Sequence, residues 1–307
     1  MKVLITGASG LAGHGICEAT GAQDHELLLP SHAELDLQDA AAVQTYLTRE
    51  RPDCIIHAAG VVGGIAANIK EPTRFLLANL DMGRNIIYGA YEAGVKTLIN
   101  LGSSCMYPRN SDKPLAEKMV LKGELEPTNE GYALAKVVCA RLCEYISREH
   151  HGFRYKTLIP CNLYGRWDKF RTERAHMIPA VIHKLHMAKE QSLACVTVWG
   201  SGEARREFMY AGDLGDCVWY ALAHIEDMPS MLNVGLGYDH TVNEYYEAVA
   251  KLVGYQGSFV HDMEKPEGMK RKLTDVTCLY DFGWQAKTSL VEGLAKTYAF
   301  YLEHSEK

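Results

Sequence analysis

Near its start the chain runs through Lys2-Val3-Leu4-Ile5-Thr6, a short apolar stretch of strand-forming residues, and passes without a break into Gly7-Ala8-Ser9-Gly10-Leu11-Ala12-Gly13. This succession restricts the fold more than any other feature. Glycines at intervals of three let a strand turn sharply, let the backbone approach a pyrophosphate closely, and let a helix pack on the strand. The helix that follows would point its free N–H groups and positive end at the same anion. An ordinary glycine-rich loop is the competing reading, and the order strand, turn, helix argues against it. Gly7, Ala8, Ser9, Gly10, Leu11, Ala12 and Gly13 are therefore the expected cradle of a dinucleotide.

More strand-like runs follow at Glu26 to Leu29, Cys54 to His57, Thr97 to Leu101 and Tyr155 to Ile159, with helical stretches between them. Such alternation predicts a doubly wound parallel α/β sheet of the Rossmann type. A length of 307 residues suffices for that domain and a smaller partner lobe. The net charge of −6 comes with no basic run, so nucleic acid is not an expected partner. No apolar stretch approaches the ~18 residues of a membrane helix, and no charged leader precedes the first strand. The expectation is a cytoplasmic protein without a membrane partner. Nine cysteines without a Cys-x-x-Cys fit reduced thiols.

Ser103, Cys105, Tyr132 and Lys136 carry the candidate chemistry. Tyr132 and Lys136 lie four residues apart, which stacks them on one helix face. A free phenol titrates near ~10, and a neighbouring cation is expected to bring it closer to neutrality as an acid or base. Ser103 would hold a carbonyl oxygen. Cys139 and Cys143, also four apart, read as the buried stripe of that helix. His176, His183 and His186 invite a metal reading, but no carboxylate or cysteine nearby completes a ligand set, and no metal is expected.

The Ser with Tyr-x-x-x-Lys, placed after this glycine turn, resembles the extended short-chain dehydrogenase/reductases. The segments Gly102 to Pro108, Leu125 to Glu130, Asn162 to Gly165, His176 to Pro179, Val198 to Gly202, Arg206-Glu207-Phe208 and Arg271-Lys272-Leu273 narrow the similarity to the GDP-L-fucose synthases, over nearly the whole chain. That resemblance implies 3,5-epimerisation and 4-reduction of a GDP-linked 4-keto-deoxy sugar. Ser103, Tyr132 and Lys136 would then handle the ketone, with Cys105 as base and His176 as acid. It implies that Leu101, Gly102, Ser104, Pro160, Cys161, Asn162 and Leu163 line the nicotinamide and that Lys136 holds its ribose. Lys184, Trp199, Arg206 and Lys272 would contact the nucleotide sugar.

NADPH is expected over NADH. The second strand ends in Leu29-Pro30-Ser31-His32 without the acid that favours NAD, yet Ser9 and His32 replace arginines common in bacterial relatives. A homodimer through helices of the nucleotide-binding domain is also implied. The expected division is residues 1–165, with a returning segment near 199–224, against a nucleotide-sugar-binding α/β lobe over 166–307. Departures at Gly131, Arg166 to Phe170 and Tyr210 to Asp213 leave the sugar open between a deoxymannose, a deoxyheptose and a 3,6-dideoxy sugar. A non-catalytic regulator would be expected to lose part of the Ser, Tyr and Lys set. An NAD-retaining epimerase or dehydratase would share that set without needing Cys105 and His176.

Overall fold

The computed structural model describes residues 1–170, 175–265 and 269–304. Its first half is β1 (Lys2–Thr6), α1 (Leu11–Glu18), β2 (Glu26–Leu28), α2 (Ala40–Glu50), β3 (Cys54–His57), α3 (Ile65–Lys70), α4 (Pro72–Glu92), β4 (Thr97–Leu101), α5 (Glu130–Glu149) and β5 (Arg154–Pro160). The strands are short, and β3 is buried along its whole length, as central parallel strands covered on both faces are. Local signals delimit the helices. Asp39 caps α2 by accepting from the amides of Ala41 and Ala42, and Pro72 opens α4 at a position where its missing N–H costs nothing.

After β5 come β6 (Asn162–Tyr164), α6 (Met177–Glu190), β7 (Cys195–Trp199), β8 (Arg205–Arg206), β9 (Phe208–Tyr210), α7 (Ala211–Ala223), β10 (Met231–Val234), β11 (His240–Thr241), α8 (Val242–Val253), β12 (Ser258–Asp262), β13 (Arg271–Lys272), α9 (Thr277–Asp281) and α10 (Leu290–His304). The main sheet is parallel throughout, in the order β10-β5-β4-β3-β1-β2. The chain leaves β1 toward β2 and then crosses back to β3. Ligands of open α/β sheets bind at such a switch point, beyond the C-terminal strand ends.

The segment between β2 and α2 supplies buried Leu35 and Leu37 without adding a strand. Asn85 of α4 instead takes its carbonyls at Leu37 and Gln38 with one side-chain amide, 3.0 and 3.1 Å away. Between α6 and α10 a second core forms from Ile178, Ile182, Leu185, Val198, Tyr245, Val249 and Tyr301. The parallel pair β7 and β12 and the small sheet β11-β8-β13 belong to this half of the chain. The halves interleave: β6 pairs with β9, α7 lies against α1, and β10 enters the main sheet beside β5. Among the described residues, no helix is long and apolar enough to cross a membrane.

The approach of α1 to α7 depends on two facing glycines. A Cβ on Gly15 would sit 2.3 Å from the Ala211 carbonyl oxygen, and one on Gly215 would sit 2.0 Å from that of Gly15. Trp219 donates to the Ile16 carbonyl at 2.8 Å in the same seam. Gly215→Ala is expected to destabilise the protein by about 1–3 kcal/mol through overpacking. A chemical denaturation midpoint equal to that of the unaltered chain would show that the helices spread without penalty.

Candidate active site

The glycine turn has the geometry its spacing predicts. Gly7 takes φ +72°, and a Cβ there would lie 2.6 Å from the Cα of Ala59, because the exit of β3 passes directly over it. At Gly13 an added Cβ would meet the Gly7 carbonyl oxygen at 2.1 Å, so the helix can seat on the turn only with glycine. Ser9 and Gly10 are exposed at the open N-terminus of α1, where its first N–H groups lack intrahelical partners. A pyrophosphate fits this cradle. At the end of β2, His32 is exposed and its Nδ1 lies 3.8 Å from Asp36. Glu34 folds back to accept from the Ser31 amide and hydroxyl, both at 2.8 Å, so an acid is held in the loop that follows this strand.

Ser103 leaves β4 in extended conformation, and its hydroxyl accepts from the Cys105 amide at 3.3 Å. Across from it α5 presents Tyr132 and Lys136. Lys136 is buried and donates to the Leu101 carbonyl at 2.9 Å, which joins the helix to the last residue of β4. Burial pushes the Tyr132 phenol up, the nearby Cys105 raises it further, and a hydrogen bond from the Ser103 hydroxyl opposes both. Burial also lowers the Lys136 ammonium. This corrects the expectation that Lys136 draws the phenol toward neutrality. Its Nζ stands 5.9 Å from the ring centroid and is committed to a carbonyl, so Tyr132 is held as a protonated donor. Beneath them His57 accepts or donates at Thr6 over 2.8 Å, and burial, then Lys136, push it down to about 3, which keeps it neutral.

Two donors converge on Cys105 Sγ: the Asn129 side-chain amide at 3.0 Å and the Lys272 ammonium at 3.6 Å. The family resemblance assigns Lys272 to the nucleotide sugar. The ammonium that reaches the thiol is Lys272, delivered by the small sheet. In that sheet Arg205 pairs with Arg271 and Arg206 with Lys272. Paired residues of adjacent strands share a face, so the register puts Arg206 beside Lys272 and turns Arg205 and Arg271 the other way. There both bind the buried Asp239, at 2.7 and 2.5 Å. Asn129 lies inside a motif already noted, but nothing in its spacing announces a contact with sulfur 24 residues away.

The other expected contacts are more dispersed. Trp199, at the end of β7, is 61% exposed, with the Lys265 ammonium 5.8 Å from its ring centroid, so it is available to a ligand and is not core. Lys184 of α6 donates to the Thr197 carbonyl on the same strand, and burial lowers its ammonium. Arg206 donates to the Arg205 carbonyl at 2.8 Å. Ser104 and Cys161 are buried. Asn162 donates to the Glu207 carbonyl at 2.9 Å. His176 is exposed as the residue that caps α6, and it opposes the upward push of burial on Asp168. His183 and His186 bond the hydroxyls of Tyr301 and Tyr298.

Several residues that depart from the family pattern have packing or hydrogen-bonding roles. A Cβ on Gly131 would lie 2.8 Å from the Pro72 carbonyl oxygen, so glycine lets α5 start against α4. Asp213 accepts from the Thr288 amide and hydroxyl. Trp167, at φ +67°, stacks on His14 of α1 with centroids 4.0 Å apart, donates to Glu18 at 2.6 Å and meets Phe300 of α10. Arg166 reaches the same Glu18 at 2.5 Å. These contacts clamp the loop to both halves of the chain.

The sequence profile of the NAD dependent epimerase/dehydratase family matches residues 3–235. A GDP-L-colitose synthase from Yersinia pseudotuberculosis is 53% identical over 302 residues, covering 98% of each chain. A GDP-L-fucose synthase from Azorhizobium caulinodans is 46% identical over 305 residues, covering 99% of this chain and 97% of its own. Among solved structures, the GDP-mannoheptose C4 reductase MlghC from Campylobacter jejuni, with NADP bound, superposes with a TM-score of 0.88 at 31% identity and 98% coverage of both chains.

If Trp167 is a clamp and not part of the pocket, Trp167→Ala should lower stability by about 1–2 kcal/mol while the KM for the nucleotide sugar stays within about twofold. A large rise in KM at unchanged stability would return the ring to the pocket.

Proposed function

Because the chain belongs to the NAD dependent epimerase/dehydratase family, we propose that it is an NADPH-dependent 3,5-epimerase and 4-reductase acting on GDP-4-keto-6-deoxy-D-mannose to form GDP-L-fucose. One observation carries this reading: a cysteine with an ammonium and an amide on its sulfur adjoins a carbonyl-polarising serine and tyrosine. Simple reduction needs only the second pair. Identity of 46% to a GDP-L-fucose synthase along the whole chain supports it. A second reading, a GDP-4-keto-3,6-dideoxy sugar as substrate, is favoured by the 53% identity to a GDP-L-colitose synthase.

A ketone at carbon 4 acidifies the hydrogens on carbons 3 and 5. Cys105, as thiolate, accepts one of them, and the charge that moves onto the ketone oxygen is met by Ser103 and Tyr132. Lys272 and Asn129 both donate to that sulfur. His176 returns a proton to the opposite face. When bound, the nicotinamide supplies a hydride to carbon 4. Tyr132 then passes its proton to the alkoxide, for which the protonated phenol is the required form.

Residues Gly7 to Gly13 would hold the pyrophosphate, Lys136 the ribose, and Leu101, Gly102, Ser104 and Pro160 to Leu163 the nicotinamide side. Arg206 and Lys184 would pair with the sugar diphosphate and Trp199 would lie against sugar or base. The preference for NADPH over NADH is supported by the NADP bound to MlghC. The proposed division is a nucleotide-binding domain over 1–165 with a returning segment from about 199, and a nucleotide-sugar lobe over the remainder. A cytoplasmic location fits nine cysteines that are all free thiols. For a homodimer, α4 and α5 offer exposed Leu77, Tyr88, Leu134, Val138 and Tyr145.

Incubation with GDP-4-keto-6-deoxy-D-mannose and NADPH in deuterated water should place deuterium at carbons 3 and 5 of GDP-L-fucose, with NADH much the poorer donor. Deuterium at carbon 5 alone, on a 3,6-dideoxy substrate turned over faster, would favour the second reading. Cys105→Ser should abolish exchange, and unchanged exchange would remove the cysteine from the mechanism; His176→Gln with normal product stereochemistry would dismiss His176 as the acid. The dimer predicts that Val138→Glu elutes at half the mass of the unaltered chain, and a monomeric unaltered chain would refute it.

A further inference from the structure

The mechanism leaves one buried titratable group unused. Glu207, 1% exposed, sits between β8 and β9. One carboxylate oxygen accepts from the amides of Leu236 and Gly237 at 2.6 and 3.0 Å, and the other accepts from the amide and hydroxyl of Thr274 at 2.8 and 2.7 Å. Four donors therefore satisfy it completely. The fit is tight, since a Cβ on Gly235 would come within 2.5 Å of the first oxygen and 2.3 Å of the Thr274 hydroxyl. Burial raises this carboxyl against the lowering effect of those bonds, so a group that is costly to bury has been kept.

Its three attachments belong to distant parts of the chain. Leu236 and Gly237 follow β10, the last strand of the main sheet, and Thr274 lies two residues beyond Lys272. A neighbouring knot works in the same direction. Asn233, fully buried at the end of β10, donates to the carbonyls of Leu115 and Asp275 at 2.7 and 2.9 Å and accepts from the Tyr107 hydroxyl at 2.5 Å. Tyr107 is two residues past Cys105. The strand bearing Lys272 and the loop bearing Cys105 are thus both referred to the end of β10, and the carboxylate of Glu207, on the Lys272 side of the small sheet, ties β8, β10 and the Lys272 strand together as Asp239 does through Arg205 and Arg271.

We infer that Glu207 is a positioning residue for the proton-transfer step: it fixes β13 against β8 and the end of β10 so that the Lys272 ammonium rests on the Cys105 sulfur. The inference rests on the proposed reading of Cys105 as the base. Loss of the carboxylate would let β13 drift and leave the sulfur without its cation, while Ser103, Tyr132 and Lys136, held by β4 and α5, would stay in place. An amide in place of the carboxylate supplies one acceptor where the fold needs two.

The test reads Cys105 directly in the full-length protein. Iodoacetamide labelling at neutral pH, followed by peptide mass spectrometry, gives the alkylation rate of Cys105, with exposed Cys195 and Cys278 as internal references. Glu207→Gln should slow Cys105 about tenfold, equivalent to about 1.4 kcal/mol, with both reference rates unchanged. Lys272→Ala should do the same, and the double variant should show no further loss, because both changes remove one interaction. A Cys105 rate equal to that of the unaltered chain, additive losses, or equal changes at all three cysteines would overturn the inference. If Glu207→Gln does not fold, Thr274→Val removes one of the four bonds at constant shape and should slow Cys105 by a smaller factor, an unchanged rate again being fatal. Failure of the underlying reading is seen separately, as deuterium exchange that survives Cys105→Ser.

Discussion

A buried ammonium on a backbone carbonyl organises this site. Lys136 enters the interior from α5 and ends on the Leu101 oxygen, the final acceptor of β4. A cation taken out of water is tolerated only where it is well bonded, so the helix can take few positions relative to the strand. Tyr132, one turn earlier, is thereby set against Ser103, two residues beyond the end of the strand. The arrangement keeps the phenol protonated and the neighbouring His57 neutral. Polarity is concentrated at one strand end while the sheet beneath it is packed with Val3, Ile5, Ile56 and Ile99.

The second requirement is that two halves of the chain meet over that strand end. They do so by exchange and not by simple contact: β10 completes the main sheet, α7 covers α1, and β6 pairs with β9. Segments from beyond residue 200 are therefore anchored to the nucleotide-binding sheet itself. A two-residue strand such as β13 has little stability of its own. Glu207, Asn233 and the Asp239 pair supply the anchorage that its length cannot, and with it the placement of Lys272 and Arg206.

Much of the fold was legible in the chain. Strands β3 and β4 were found at their observed bounds, and the glycine turn at Gly7 to Gly13 has the close approaches its spacing implies. Such signals are local: strand runs, caps and glycines act within a few residues of where they are read. The placement of Ser103 with Tyr132 and Lys136 was legible because strand-end position and helical spacing are local as well. The environment of Cys105 was not. Asn129 and Lys272 approach it from 24 and 167 residues away, and Lys272 was expected only at the nucleotide sugar. The direction of the Tyr132 shift was also misjudged, because a sequence shows a nearby lysine but not the depth at which both groups are buried.

By itself the sequence determined a parallel α/β sheet with a dinucleotide turn, a serine, tyrosine and lysine at one strand end, and a cysteine beside them. Those assignments follow from periodicity, glycine geometry and short spacings, which survive without knowledge of distant contacts. Tertiary structure alone decided which cation reaches the cysteine, how Trp167 and its neighbours pack, and which buried carboxylates bond the small sheet. These depend on distances between segments far apart in the chain and on how fully water is excluded, and neither quantity is written in local pattern.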